Sequence, residues 1–275
     1  MTDEMDLGLF GPDSVSWRVH AEPVLWVAGL RALFLQSLHP RALQGVVQNS
    51  DYRRDSWGRL MRTAEYVGTV IYGTTAEAER AAARIRGVHA RLRARDPDTG
   101  EEYRIDEPAL LRWIHVSEVD SFVTTARRSG LGLSRADVDR YFAEQVQAAE
   151  LIGIDPATVP ASADQVEDYY RRMRPELALT PAAGDVARFL IAPPMPGRLG
   201  WTPARPAWVG VAATGFSLLP RWARRMYRMP GLPTTDIAAT VTSRFTRLAL
   251  AALPLRPPPI YVAAMQRVQA QTTAP

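Results

Sequence analysis

The stretch from Pro23 to Leu38, PVLWVAGLRALFLQSL, constrains the fold more than any other part of the chain. It is apolar on nearly every side at helical spacing. A helix of that kind belongs in the middle of an assembly of other helices rather than at its surface. His39-Pro40 ends it, because proline disfavours the helical conformation in the residue before it. Apolar residues recur with helical period through most of the remaining sequence. No alternation is long enough to define a strand, and no internal repeat is present. The expected fold is all-α, a single large helical domain over 1–275, with a core at 11–250 and a proline-rich tail over 254–275.

The punctuation divides this pattern into elements. A short helix is expected at Arg41 to Val47 and a longer one at Asp55 to Tyr72, stopped by Gly73. Thr75 is expected to cap the next helix, with Glu77, Ala78 and Glu79 in its first turn, and that helix to run to about Arg95. Asp96-Pro97-Asp98-Thr99-Gly100 is a turn. Helices follow at Glu107 to Ser129 and Ser134 to Leu151, with shorter ones at Asp164 to Arg174 and Pro181 to Ile191. Ala192 to Pro206 is a proline-rich connector. It leads to an apolar helix at 207–219, a basic turn (Arg221, Arg224, Arg225, Arg228) and a helix near 235–252.

Composition removes several chemistries. The 275 residues include no cysteine, which excludes disulfides, iron–sulfur clusters, thiolate-held haem and cysteine nucleophiles. Every one of the 33 basic residues is arginine, so Schiff-base chemistry and lysine-dependent phosphate loops are excluded too. With no lysine to titrate, a formal charge of only +4 already yields a pI near 9.7, so the basic balance does not point to nucleic acid. No apolar run reaches about 18 residues, the length at which a membrane span becomes readable. The acidic start Met1-Thr2-Asp3-Glu4 is unlike a secretory leader, and a cytoplasmic location is expected.

Polar residues at helical spacing mark the candidate site. Arg59 and Thr63 are four apart, with Arg62 between them; Arg86, His89 and Arg93 follow at i, i+3 and i+7. A histidine between guanidinium groups on one helix face suits an anionic, metal-containing group, and haem is the leading candidate. The other three histidines have plainer readings beside the functional ones. His20 reads as a loop histidine ahead of a helix. His39 either satisfies the last carbonyls of the apolar helix or lines a pocket. His115 is either a core histidine bonded to Glu118, three residues on, or a second pocket histidine. Di-iron bundles require Glu-x-x-His twice, but the residues three before the histidines are Trp17, Gln36, Arg86 and Arg112. The zinc motif HExxH, the dinucleotide fingerprint and Gly-x-Ser-x-Gly are likewise missing, which leaves histidine-held haem as the redox option.

Leu38-His39-Pro40, Arg59-x-x-x-Thr63, Arg86-x-x-His89-x-x-x-Arg93 and Trp113-x-His115 running into Asp120-Ser121-Phe122 together resemble the rubber oxygenase (latex-clearing protein) and MpaB-type oxygenase catalytic domain, over roughly residues 11 to 250. The resemblance implies a globin-like helical arrangement around a non-covalently bound haem b. It implies His89 as the iron ligand, with Arg86 and Arg93 near the propionates and His39 and His115 as further cofactor-lining residues. It implies Arg59, Arg62 and Thr63 as the polar residues of the active site. The family's rubber-cleaving members carry a lysine where Arg62 stands, and arginine does not deprotonate to become a reversible iron ligand.

The function implied is a haem-dependent oxygenase or oxidoreductase acting on an apolar or aromatic small molecule with dioxygen or peroxide, served by a redox partner. Leu35, Leu38, Val67, Ile71 and Trp113 are the expected apolar lining. The alternative is a non-catalytic helical protein that binds a ligand or a membrane surface, resting on the 207–219 helix beside the Arg221–Arg228 cluster. Peripheral membrane contact through that cluster is not favoured, and nucleic acid is not an expected partner.

Overall fold

The computed structural model describes residues 6–195, 197, 202–232, 234–253 and 256–273. Helix accounts for 69% of the chain, in thirteen α-helices among the described residues. In chain order these begin with α1 (Val15–His20), α2 (Leu25–Gln36), α3 (Pro40–Asn49), α4 (Ser56–Tyr72) and α5 (Thr75–His89). A two-stranded hairpin, β1 (Arg93–Arg95) and β2 (Glu102–Arg104), comes next. The remaining helices are α6 (Pro108–Arg128), α7 (Arg135–Leu151), α8 (Ala163–Met173), α9 (Pro181–Ile191), α10 (Ala204–Ser217), α11 (Arg221–Met226), α12 (Thr235–Ala251) and α13 (Pro259–Thr273). The protein is all-α, as the patterning predicts.

The apolar helix α2 is central. It packs along α6 on one side and α10 on another, and Phe34 and Leu35 are wholly buried. Reciprocal bonds from side chain to backbone fix its register on α6: Trp113 Nε1 donates to Gln36 O at 3.2 Å, and Gln36 Nε2 donates to Ile114 O at 3.2 Å. Gly215 of α10 lies so near α2 that a Cβ there would stand 3.0 Å from Val27 O and 3.2 Å from Arg31 N. Glycine allows this close approach of two helices.

One cation sits inside the apolar helix. Arg31 is buried, and its guanidinium donates to Asp120 Oδ2 (2.9 Å), Ser121 Oγ (2.6 Å) and Leu218 O (3.1 Å). Asp120 also accepts from Tyr170 of α8 (3.1 Å) and from Thr124 (2.9 Å). One buried ion pair therefore ties together α2, α6, α8 and the end of α10.

Four expectations need correction. The helix expected to reach Arg95 stops at His89, and a hairpin follows. Its first strand is held by α3: Gln48 bonds both Arg95 O (2.7 Å) and Arg95 N (2.8 Å), and Asn49 donates to Arg93 O (2.8 Å). Tertiary partners on the backbone override local helix preference here. The N-cap of α5 is Thr74, not Thr75, in a capping box with Glu77.

The basic turn is a helix, α11. Arg221 and Arg224 both pair with Asp236, at 2.5 and 2.6 Å. Lastly, the proline-rich tail over 254–275 contains a helix. Pro259 opens α13, where its missing N–H costs nothing, and Ala264 and Tyr261 pack on Trp17, Ile71 and Tyr72. Residues 254–255 and 274–275 of that tail lie outside the described residues, as do 196 and 198–201 of the expected connector.

Replacing one member of a buried ion pair leaves the other charged and unpaired, at a cost of about 3–5 kcal/mol. Arg31→Met is expected to lower the unfolding free energy by that order in urea titration, and adding Asp120→Asn to recover part of the loss. A loss below about 1 kcal/mol for R31M would mean that the pair is solvated like a surface one.

Candidate active site

Helices α4 and α5 form a hairpin joined by Gly73 and Thr74, so the start of α4 lies at the same end as the finish of α5. The first three turns of α4 are unburied; its buried residues are Val70, Ile71 and Tyr72 at the closed end. On α5 only Ala78 and Ala82 are buried. The open end of the hairpin thus presents polar side chains with little burial, its helices touching their neighbours through Trp57 on Trp208 of α10 and Arg86 on Leu151 O of α7.

Arg59, Thr63 and Tyr66 share one face of α4, at i, i+4 and i+7. Arg59 is half-buried and donates to Ser50 Oγ, with no carboxylate partner among the described residues. Burial, and then the Arg62 cation, hold its guanidinium below the ordinary value. Arg62 is exposed and pairs with Asp55, the N-cap of α4, at 3.0 Å. The Thr63 hydroxyl is exposed and donates to Arg59 O at 3.1 Å.

His89, the last residue of α5, is half-buried. Burial holds its imidazole below the usual value, with Asp106 opposing, so the ring is neutral at pH 7. That ring makes no hydrogen bond to any described residue. The other three histidines differ. His20 Nε2 lies 3.1 Å from the Tyr141 hydroxyl, Ala42 N donates to His39 Nδ1, and Gln145 carries the backbone partner of His115. Arg86 donates to Leu151 O, and Arg93 to Ala90 O (2.9 Å) and Leu92 O (3.0 Å). Neither arginine has an ion pair among the described residues. Arg93 sits in β1, so the expectation that it continues the helix face of Arg86 and His89 is corrected: it lies near His89 in sequence but on another element.

The central helix α6 contributes two titratable groups to the same region. Burial pushes the Glu118 carboxyl up to about 7 and the His115 imidazole down to about 4. Both residues still keep some contact with solvent. Glu118 has no ion pair or hydrogen bond among the described residues, so the reading of His115 as bonded to Glu118 is not what the structure shows. The phenol of Tyr66 is pushed up to about 12, first by burial, then by the Glu118 carboxylate, with the Arg86 cation opposing. Tyr66 of α4 thus lies within electrostatic reach of Glu118 on α6 and Arg86 on α5.

Tyr66 and Glu118 are the members that the sequence reading missed as site residues. The signal for Tyr66 was its spacing from Arg59 and Thr63. Glu118 was legible only as a neighbour of His115. His20 bonds Tyr141, whose phenol is pushed up by burial and then by the Glu118 carboxylate, whereas the His39 ring accepts from Ala42 N of α3. His39 is the N-cap of α3 rather than a C-terminal partner for α2. His20 is no loop residue; it ends α1 inside the core, edge-on to Phe122, and burial pushes it down to about 3.

Of the expected apolar lining, Leu35, Leu38 and Trp113 are closed into the main core and Ile71 into the cluster under α13, while Val67 alone is half-buried. A separate cleft of about 390 Å³ between Arg112 and the α8 residues Tyr169, Arg172 and Met173 shares no residue with the His89 group.

Among the described residues no three His, Asp or Glu side chains converge as a metal cage. A metal whose other ligands come from a macrocycle needs only one imidazole, and anionic substituents on it match arginines that lack acid partners. The residues present fit such a group.

The family model described as "ER-bound oxygenase mpaB/B'/Rubber oxygenase, catalytic domain" matches residues 17–252. The chain belongs to that family. No curated protein and no solved structure matches it. The mpaB/rubber oxygenase match runs from α1 to the end of α12 and takes in every candidate residue above; α13 lies beyond it.

Glu118 makes a pH-dependent stability contribution of known sign. Its folded value near 7 lies above the ordinary 4.5, so the folded protein keeps a proton that the unfolded chain releases between those values, and stability falls as pH rises through that window. Glu118→Gln is expected to unfold like the parent near pH 5 and to be more stable at pH 8, by on the order of 1–3 kcal/mol. His20 and His115, both lowered, act oppositely in both proteins, losing stability as pH falls below 6.5. Melting temperatures from pH 5 to 8.5 check this; parallel profiles would place the carboxyl in open water.

Proposed function

We propose that the protein is a haem b-dependent oxygenase that acts on an apolar or aromatic small molecule, with His89 as the residue that would hold its iron. The observation that carries this reading is the His89 imidazole, neutral and without a hydrogen bond to any described residue, beside arginines that form no ion pair among those residues. Membership of an oxygenase family supports the reaction class. Haem, when bound, supplies the iron at which dioxygen or peroxide is activated.

The chain's own residues have distinct parts in this reading. Neutral imidazole is the form that ligates metal, and burial keeps His89 in that form. Arg86 and Arg93, which have no ion pair among the described residues, would pair with propionates, since guanidinium binds carboxylate in two-pronged fashion. On α4, Arg59 and Thr63 orient a polar atom of the substrate or oxidant, with Arg59 available because Ser50, not a carboxylate, is its partner. Arg62 is the less available cation because Asp55 engages it. Glu118 holds a proton on its carboxyl oxygen near neutral pH within electrostatic reach of the Tyr66 phenol, which suits a group that gives and takes a proton. His115 stays neutral and is positioned by Gln145. Electrons, where the reaction needs them, come from a redox partner.

Protein expressed with haem precursor is expected to purify with a Soret band and near one haem per chain by pyridine haemochrome assay. His89→Ala should lose or shift that band while circular dichroism stays unchanged. Full haem with an unaltered spectrum in H89A would remove His89 from the iron. Colourless protein that also refuses added haemin would overturn the haem reading.

A further inference from the structure

Helix α12 carries an apolar stripe that packs on no hydrophobic core among the described residues. Ile237, Val241, Phe245 and Leu248 are 67, 47, 68 and 63% exposed, and their spacing of four, four and three residues puts them on one face. The opposite face, with Ala239 and Ser243, is buried, Ala239 against Val27 and Leu218. The loop leading into the helix adds Met229 and Leu232, 62 and 73% exposed. Contiguous exposed apolar surface of this extent on a monomer marks an interaction site.

Charge around the stripe selects the partner. Between Arg221 and Arg256 the chain carries seven arginines and a single acid, Asp236. Arg221 and Arg224 occupy Asp236, and Arg247 pairs with Glu22. Arg225, Arg228 and Arg244 are exposed and have no ion pair among the described residues. Arg244 lies on the edge of the stripe itself, one turn from Val241 and Leu248. Arg228 closes α11 at φ 58°, with Met229 N bonded to Arg224 O at 3.0 Å. Glycine is the usual residue at that left-handed position, so an arginine is held there, beside Met229, at a conformational cost.

We infer that this face docks on an anionic phospholipid surface, with the stripe and the Met229–Leu232 loop among the acyl chains and Arg225, Arg228 and Arg244 on the lipid phosphates. A helix lying in the interface plane combines an apolar face with arginines beside it in this way. A second copy of the chain is a poor occupant, because a two-fold contact sets cationic edge against cationic edge with no free carboxylate from this segment to relieve it. The surface differs from the one the sequence suggested. The 207–219 segment packs on α2, and Arg221 and Arg224 are consumed by Asp236. The inference does not rest on haem or on any reaction.

Co-sedimentation of the whole chain with phosphatidylcholine vesicles, with and without phosphatidylserine, tests it. Wild type is expected to partition onto the phosphatidylserine vesicles and to be released by salt. R225Q/R228Q/R244Q should weaken partitioning on the order of a hundredfold. F245S/L248S should abolish it without changing the melting temperature, since both side chains are already in water. Equal partitioning onto phosphatidylcholine alone, or failure to bind either vesicle, overturns the proposal. So does a dimer in light scattering that F245S/L248S converts to monomer while vesicles have no effect; the face then belongs to a second copy.

Discussion

The Arg31–Asp120 pair is the interaction on which the rest of the architecture depends. A guanidinium has five N–H donors and no way to lose its charge, so burying it fixes the acceptors that must surround it. Arg31 finds them on two other elements, and each bond sets a position: Asp120 and Ser121 set the register of α6, and Leu218 O sets the end of α10. Tyr170, through Asp120, draws α8 onto the same point. Apolar packing of α2 on its neighbours tolerates sliding; this network does not. It holds α6, the helix that carries His115 and Glu118, in one register.

Much of the fold was legible because its helices are bounded by residues with a local mechanism. Asp55 and Ser134 bond the N–H groups at the starts of α4 and α7, and Pro40, Pro108 and Pro181 open helices where an N–H is dispensable. What was not legible was set by partners distant in sequence. The window Pro23 to Leu38 reads as apolar on all sides, and nothing local says that Arg31 will meet Asp120 eighty-nine residues later. The end of α5 is decided by two amide side chains of α3 that capture the backbone of Arg93 and Arg95. The prolines near 254–259 look like the end of ordered chain, yet they only precede a helix whose apolar residues find Trp17 and Tyr72.

The same distinction runs through the candidate site. Arg59, Thr63, Arg86 and His89 are visible because two of them share each helix face. Tyr66 and Glu118 matter through their surroundings: a tyrosine and a glutamate are ordinary in a sequence, and only folding places them within electrostatic reach of one another and of Arg86. Arg93 shows the converse, a residue whose spacing is right and whose element is not. Spacing identifies neighbours only as far as the helix continues.

The distribution of burial along the α4–α5 hairpin connects stability to ligand capture. Its closed end is anchored: Tyr72 donates to Trp17 O at 3.1 Å, Arg267 of α13 donates to Tyr72 O, and Ile260 of α13 lies against Gly68. Its open end, with Arg59 and His89 half-buried and Thr63 exposed, has no fully buried side chain. Segments with few buried apolar contacts open at low free energy, and a ligand bound only by the closed arrangement stabilises it by mass action. A hairpin anchored on Trp17 and α13 at one end, and held at the other through Trp57 on Trp208, Arg59 on Ser50 and Arg86 on Leu151 O, therefore has its less buried end where the candidate residues gather, away from the core around Arg31.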